Sequence, residues 1–172
     1  MSALGNVLTV EDDPIVRADL RLVLEDAGFT VCAGARDGVE AIELARLHQP
    51  DLILLDLGLP RLDGVAAAEH ILREQDVPIV ALTGRSEAHA ESALGAGAMT
   101  WLGKPFNDRE LVETVVATLS EHRAARELAA RREESRTVLA ELVVSLGYPE
   151  TMAATLEESA YRSGRIWRRS DR

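Results

Sequence analysis

The sequence predicts an α/β fold: an open, doubly wound sheet of five parallel strands with helices on its faces, followed by a C-terminal helical extension. Three observations predict it. Short apolar runs recur between residues 7 and 102, nearly free of polar interruptions, as strands covered on both faces require. Helix-period patterns alternate with them, so successive strands are joined by crossovers and lie parallel. Aliphatic residues and Ala supply most of the apolar content beside only two Trp, two Tyr and two Phe, which suits helices packed on a sheet better than an aromatic-rich β-sandwich.

The first strand is VLTV (7–10). A helix over 14–27 follows, with Pro14 at its opening and Gly28 just beyond its end, and with Ile15, Leu20, Leu22, Val23 and Leu24 along its apolar side. TVCAGA (30–35) is the second strand, and a helix over 37–48, carrying Val39, Ile42, Leu44 and Leu47, stops before Pro50. LILLD (52–56) and PIVAL (78–82) are the third and fourth strands, followed by helices over 63–75 and 86–95. AMTWL (98–102) is the fifth, and its helix over 107–119 opens at Asn107, an N-cap residue with Glu110 three positions on. With right-handed crossovers, five such units place a ligand site at the carboxyl ends of the strands, near a topological switch point.

Past Leu119 the helical pattern does not break. Residues 120–136 are rich in Ala, Glu and Arg without Gly or Pro, which predicts a solvated continuation of the helix supported by pairs such as Glu127 with Arg131. Val138, Leu139, Leu142, Val143 and Leu146 restore an apolar side, the turn Gly147-Tyr148-Pro149 ends the helix, and a short amphipathic segment occupies 150–162. The expected division is therefore a domain over 4–119 and a helical extension over 120–172.

Charge is unevenly spread. Residues 1–120 hold 9 basic and 20 acidic side chains, whereas 121–172 hold 10 and 9, so the first part is no nucleic-acid binder by itself. No apolar run approaches the roughly 20 residues of a membrane span, and the N-terminus has no signal-peptide pattern, so a cytoplasmic protein without membrane contact is expected. Cys32, the single cysteine, reads as a small buried hydrophobe on the second strand.

The candidate chemical groups all fall at strand ends. Glu11 and Asp12 follow the first strand, Asp56 ends the third, Thr83 follows the fourth and Lys104 follows the fifth. Carboxylates gathered without a counterion raise one another's pKa, so three together call for a bound cation or an ammonium. Hard oxygen ligands of this kind suit Mg²⁺. Lys104 is the only lysine in the chain, the other basic residues of the Lys and Arg count being Arg, and an ammonium is a compact point charge where a guanidinium is a wide planar fork. A carboxylate nucleophile, a divalent ion, a hydroxyl donor and an ammonium can together accept a phosphoryl group. The four histidines, His48, His70, His89 and His122, fall in helical patterns away from the strand ends and are expected at the surface or at helix ends.

VEDDP at the first strand, LILLDLGLPRLDG around the third, ALTG after the fourth and LGKPF after the fifth resemble, in order and spacing, the response-regulator receiver family. That resemblance covers residues 4 to about 119 and implies the flavodoxin-like receiver fold. It implies that Asp56 accepts phosphate from a histidine kinase or a phosphotransfer protein. It further implies that Asp12, Asp56 and the carbonyl of Gly58 ligate Mg²⁺, with Glu11 acting through water and Asp13 outside the set. Thr83 would donate to a phosphoryl oxygen, Lys104 would bridge Asp56 and the phosphate, Pro60 and Gly64 would shape the loop after the acceptor, and the Lys104-Pro105 bond would be cis. Trp101 stands where the family usually carries Tyr or Phe as a switch side chain, so a switch and a partner surface are both open to it. Arg85 and Gly58 would line the mouth of the site. The chain would be a signalling domain, not an enzyme. Phosphohydrolases of the haloacid-dehalogenase type also use an aspartate nucleophile with Mg²⁺, but their motif has a second Asp two positions on, where this sequence has Gly58.

For the extension, ELARLHQPDL, LPRLDG and GAMTWLGKPF resemble receivers that precede ANTAR output modules, which are helical RNA-binding antiterminators. Arg162, Arg165, Arg168, Arg169 and Arg172 with Tyr161 and Trp167 mix cations with stacking rings, which favours RNA. The same cluster also fits a basic terminus balancing an acidic domain, and the helices fit a homodimer or protein-interaction module equally. DNA is not expected as a partner, because a winged-helix or helix-turn-helix output needs more residues.

Overall fold

A computed structural model describes residues 4–84, 91, 94, 95, 97, 100–147, 149, 152 and 155. The five strands are β1 (Asn6–Val10), β2 (Thr30–Ala35), β3 (Leu52–Asp56), β4 (Ile79–Thr83) and β5 (Thr100–Gly103). The helices are α1 (Pro14–Asp26), α2 (Gly38–His48), α3 (Gly64–Glu74) and α4 (Asp108–Ser145). The segment predicted as a helix over 86–95 lies, apart from residues 91, 94 and 95, outside the described residues, as does most of the segment over 150–162. All strand pairs are parallel, in the order β2-β1-β3-β4-β5. The chain leaves β1 toward β2 on one side and returns to β3 on the other, so the switch point lies between the ends of β1 and β3.

Alternate residues of each central strand feed two apolar layers. Leu8, Val10, Ile53, Leu55, Ile79 and Ala81 meet Ala41 and Ala45 of α2 and Ala68 and Ile71 of α3. Val7, Leu52, Leu54, Val80 and Leu82 meet Leu20 and Leu24 of α1 and Leu111, Val115 and Leu119 of α4. β3 and β4 are buried throughout, but β2 and β5 at the sheet edges are not, which corrects the expectation of strands covered on both faces along the whole sheet. Cys32 on β2 is accordingly half-buried, its thiol against the Val7 carbonyl at 3.4 Å, and partial burial pushes that thiol up.

The helices start where their capping residues put them. Asp13, Asp37 and Asp63 are the N-caps of α1, α2 and α3, each accepting from backbone N–H groups of the first turn. At α4 the capping box forms in both directions: Glu110 N–H donates to Asn107 Oδ1 at 3.0 Å and Asn107 N–H to Glu110 Oε2 at 3.1 Å. The apolar stripes are narrower than the sequence predicts. Ile15 and Leu22 on α1 and Leu47 on α2 are exposed, because the faces turned to the sheet run through Leu20 and Leu24 in one helix and Gly38, Ala41 and Ala45 in the other. Small residues let α2 lie close to the sheet, so its larger apolar side chains are displaced toward the flanks.

α4 continues past Leu119 without interruption, with the Arg131–Glu127 pair at 2.6 Å along it. It ends as the left-handed Gly147 (φ 83) donates to the Val144 carbonyl at 2.9 Å. The chain divides into two compact units, Met1–His122 and Arg123–Arg172. Among the described residues, no helix is long and apolar enough to cross a membrane.

Candidate phosphoacceptor site

Parallel register brings the strand ends level. Val10 pairs with Leu55, Asp56 with Leu82, and Thr83 with Gly103, so Glu11, Asp56, Thr83 and Lys104 arrive at one edge of the sheet. Three backbone bonds extend the ladder there: Glu11 N–H to the Ala35 carbonyl, Leu57 N–H to that of Leu82, and Lys104 N–H to that of Thr83 at 2.7 Å. Glu11, Asp56 and Thr83 are buried, while Asp12 is exposed.

At this edge Lys104 Nζ donates to Glu11 Oε2 and to Asp56 Oδ2, both at 2.7 Å. Asp56 Oδ1 accepts from Gly58 N–H at 2.9 Å, and Glu11 Oε1 accepts from Asp13 N–H at 3.3 Å. Glu11, Asp12 and Asp56 each place a carboxylate oxygen within 4.8 Å of the other two. Burial pushes the Glu11 carboxyl up, and the hydrogen bond from Lys104 opposes the rise. Burial alone would depress the Lys104 ammonium, but its bonds to Asp56 and Glu11 outweigh that and raise it. One ammonium therefore faces three carboxylates, an excess of negative charge that fits a hard divalent cation.

The loop after Asp56 is shaped by its glycines. A Cβ on Gly64 would overlap the Asp56 carbonyl oxygen and stand 2.7 Å from the Leu57 Cα, so the start of α3 rests directly on the backbone of Asp56. The Lys104-Pro105 bond is cis, as expected. Trp101 pairs with Ala81 across the β4–β5 ladder and is exposed, its indole lying over Gly103, where a Cβ would meet the ring at 3.3 Å. Arg85 lies outside the described residues, and so does His89. His122 corrects the expectation of surface histidines: its side chain is only 12% exposed and its Nε2 lies 2.9 Å from Asp76 Oδ1, whereas His48 and His70 are exposed.

Sequence reasoning missed three residues that brace the site. Arg17 on α1 directs its guanidinium at the carbonyls of Glu11 and Asp12, and Arg61 in the post-acceptor loop pairs with the buried Asp37 at 2.9 Å. Neither arginine sits at a strand end, so nothing in the local pattern marks it. Asp13, the third, carried a signal that was not used: it directly precedes a proline at the first helical position, as an N-cap does.

Comparisons with known proteins agree with this geometry. The response regulator receiver domain family matches residues 7–116. Transcriptional regulatory protein PdtaR of Mycobacterium tuberculosis is 39% identical over 142 residues, which cover 73% of this chain and 69% of the relative. A two-component response regulator of the LuxR family from Aurantimonas sp. SI85-9A1 superposes with a TM-score of 0.65 at 33% identity, covering 74% of this chain and 97% of that one. The receiver domain of a sensor histidine kinase from Pseudomonas aeruginosa, solved with a magnesium ion coordinated in its active-site cleft, gives a TM-score of 0.62 at 32% identity over 67% of this chain and 98% of that one. Strand order, the acidic edge with its single lysine and these matches all describe the same unit, and the chain belongs to the response regulator receiver domain family.

Proposed function

We propose that this two-component response regulator is phosphorylated on Asp56 by a histidine kinase or phosphotransfer protein, and that the phosphorylated state acts through the extension of residues 120–172. The observation that carries the reading is the double bridge of Lys104 to Glu11 and Asp56, inside a cluster of three carboxylates at the switch point of the sheet. An Asp56 carboxylate oxygen forms the new O–P bond as the P–N bond of the donor's phosphohistidine breaks, and the departing imidazole takes up a proton from water. Lys104 Nζ, already on Asp56, turns its remaining donor capacity to the arriving phosphoryl oxygens, and the Thr83 hydroxyl donates to another. Asp12, Asp56 and the Gly58 carbonyl would hold Mg²⁺, and Glu11 would act through water. When bound, the ion neutralises charge shared between carboxylate and phosphoryl oxygens.

The domain is accordingly a signalling acceptor over 4–119, with Trp101 either as a switch or as partner surface. For the extension the proposed output is transcriptional, supported by the name of the Mycobacterium tuberculosis relative. RNA binding is its candidate form, and the competing reading is a relay or dimerisation protein without nucleic-acid binding. Salt-dependent RNA retention identifies the first, and concentration-dependent mass without RNA retention the second.

The test of the site is intact-mass measurement after incubation with acetyl phosphate. One phosphoryl group is expected in Mg²⁺, none in EDTA, and none in Asp56→Asn under either condition. Undiminished phosphate on the variant would overturn the assignment.

A further inference from the structure

The loop between Asp56 and α3 is anchored by a residue outside the acidic cluster. Asp37, whose side chain is only 3% exposed, divides its carboxylate between two tasks. Its Oδ1 caps α2 by accepting from Val39 and Glu40 N–H, both at 3.0 Å, and its Oδ2 accepts from Arg61 Nη1 at 2.9 Å. Arg61 holds a left-handed backbone (φ 66), a region in which a non-glycine residue stays only when its surroundings hold it there. The neighbouring backbone presses on the same helix end: a Cβ on Gly38 would stand 2.5 Å from the Leu62 carbonyl oxygen. At the start of this loop, Gly58 donates its N–H to Asp56 Oδ1.

We propose that Arg61 and Asp37 form a clasp that fixes the path of residues 57–63, and through Gly58 sets how tightly the acidic cluster holds a divalent cation. The inference rests on the reading of Gly58 and Asp56 as ligands. Arg61 acts through the loop and is a positioning residue. Its guanidinium is 63% exposed, so the ion pair as such is screened by solvent, but its partner is buried and held by its capping bonds to Val39 and Glu40. What the pair contributes is the direction of the loop, much as outer hydrogen bonds orient metal ligands elsewhere.

The test is calorimetric titration of the full chain with Mg²⁺, for the wild type, Arg61→Gln, Asp37→Asn, the double variant and Arg61→Lys, with urea unfolding of each in EDTA alongside. Asp37→Asn keeps an oxygen to cap α2 and replaces the oxygen that faces Arg61 with an amide NH2, so it breaks the ion pair and its hydrogen bond while sparing the cap. The single variants are expected to weaken Mg²⁺ binding about three- to tenfold, below the usual range for buried outer-sphere partners because Arg61 is exposed. The double variant should be no weaker than either single one, and Arg61→Lys should come back to within about twofold of the wild type. A merely structural brace would lower the urea midpoint and leave Mg²⁺ affinity untouched, and that result overturns the clasp. A wild type that binds no Mg²⁺ overturns the metal reading itself, and the clasp with it.

Discussion

Lys104 does its work at the acidic edge because an ammonium can be surrounded. Its single nitrogen carries three donors on a flexible stem, and two of them reach Glu11 and Asp56 at 2.7 Å. A guanidinium spreads the same charge over a plane and would present a fixed fork to two carboxylates that come from different strands. With the Glu11 side chain 3% exposed and Lys104 27%, loss of the ammonium leaves a buried carboxylate without its counterion. Lys104→Ala is therefore expected to lose roughly 2–4 kcal/mol of stability in EDTA, a figure reduced for the lysine's partial exposure. Millimolar Mg²⁺ should restore much of the loss by supplying the missing charge. Urea unfolding with and without Mg²⁺ measures both, and an equal loss in the two buffers would show that the lysine is not a counterion. Glu11, Asp12, Asp56, Thr83 and Lys104 were legible in the sequence because each lies at the end of a recognisable strand or within two residues of it. Arg17, Arg61 with Asp37, and His122 with Asp76 were not, since partners 6, 24 and 46 residues apart meet only through tertiary placement.

At the scale of elements, chain punctuation proved more readable than helix faces. Pro14, Gly28, Asn107 with Glu110, and Gly147 all sit where helix starts and stops require them. The buried faces of α1 and α2 were misread because several apolar residues fall on each helix, and only the sheet decides which of them it covers. Gly64 shows how closely elements meet at the site, since α3 begins against the Asp56 carbonyl with no space for a side chain. A methyl group there must push α3 or the end of β3 aside. Gly64→Ala is expected to destabilise the chain by about 2–3 kcal/mol, as overpacking against backbone does, and to slow phosphorylation by acetyl phosphate. An urea midpoint equal to that of the wild type would mean that the loop yields freely.

For the whole molecule, the proposed link from phosphorylation to output is the continuous helix α4. Lys104, Pro105 and Phe106 lead directly into it, and it runs from Asp108 to Ser145 across the boundary between the two compact units. Its uninterrupted course was legible from the absence of Gly and Pro between Leu111 and Arg136, whereas the strand order was legible only through the resemblance to the flavodoxin-like receiver fold, because five similar apolar runs do not by themselves state their neighbours. Beryllofluoride with Mg²⁺ is expected to alter hydrogen-exchange protection over residues 100–147, as a shift of population between two states. Unchanged protection with the mimic bound would make the extension independent of the site. The central claim is that one carboxylate among the 29 acidic residues accepts phosphate. It is tested most directly by treating the chain with acetyl phosphate and Mg²⁺, reducing the acyl phosphate with borohydride, and mapping the resulting homoserine by peptide mass spectrometry. Homoserine at position 56 alone is the predicted result; homoserine at Asp12, at Asp13 or nowhere would contradict it.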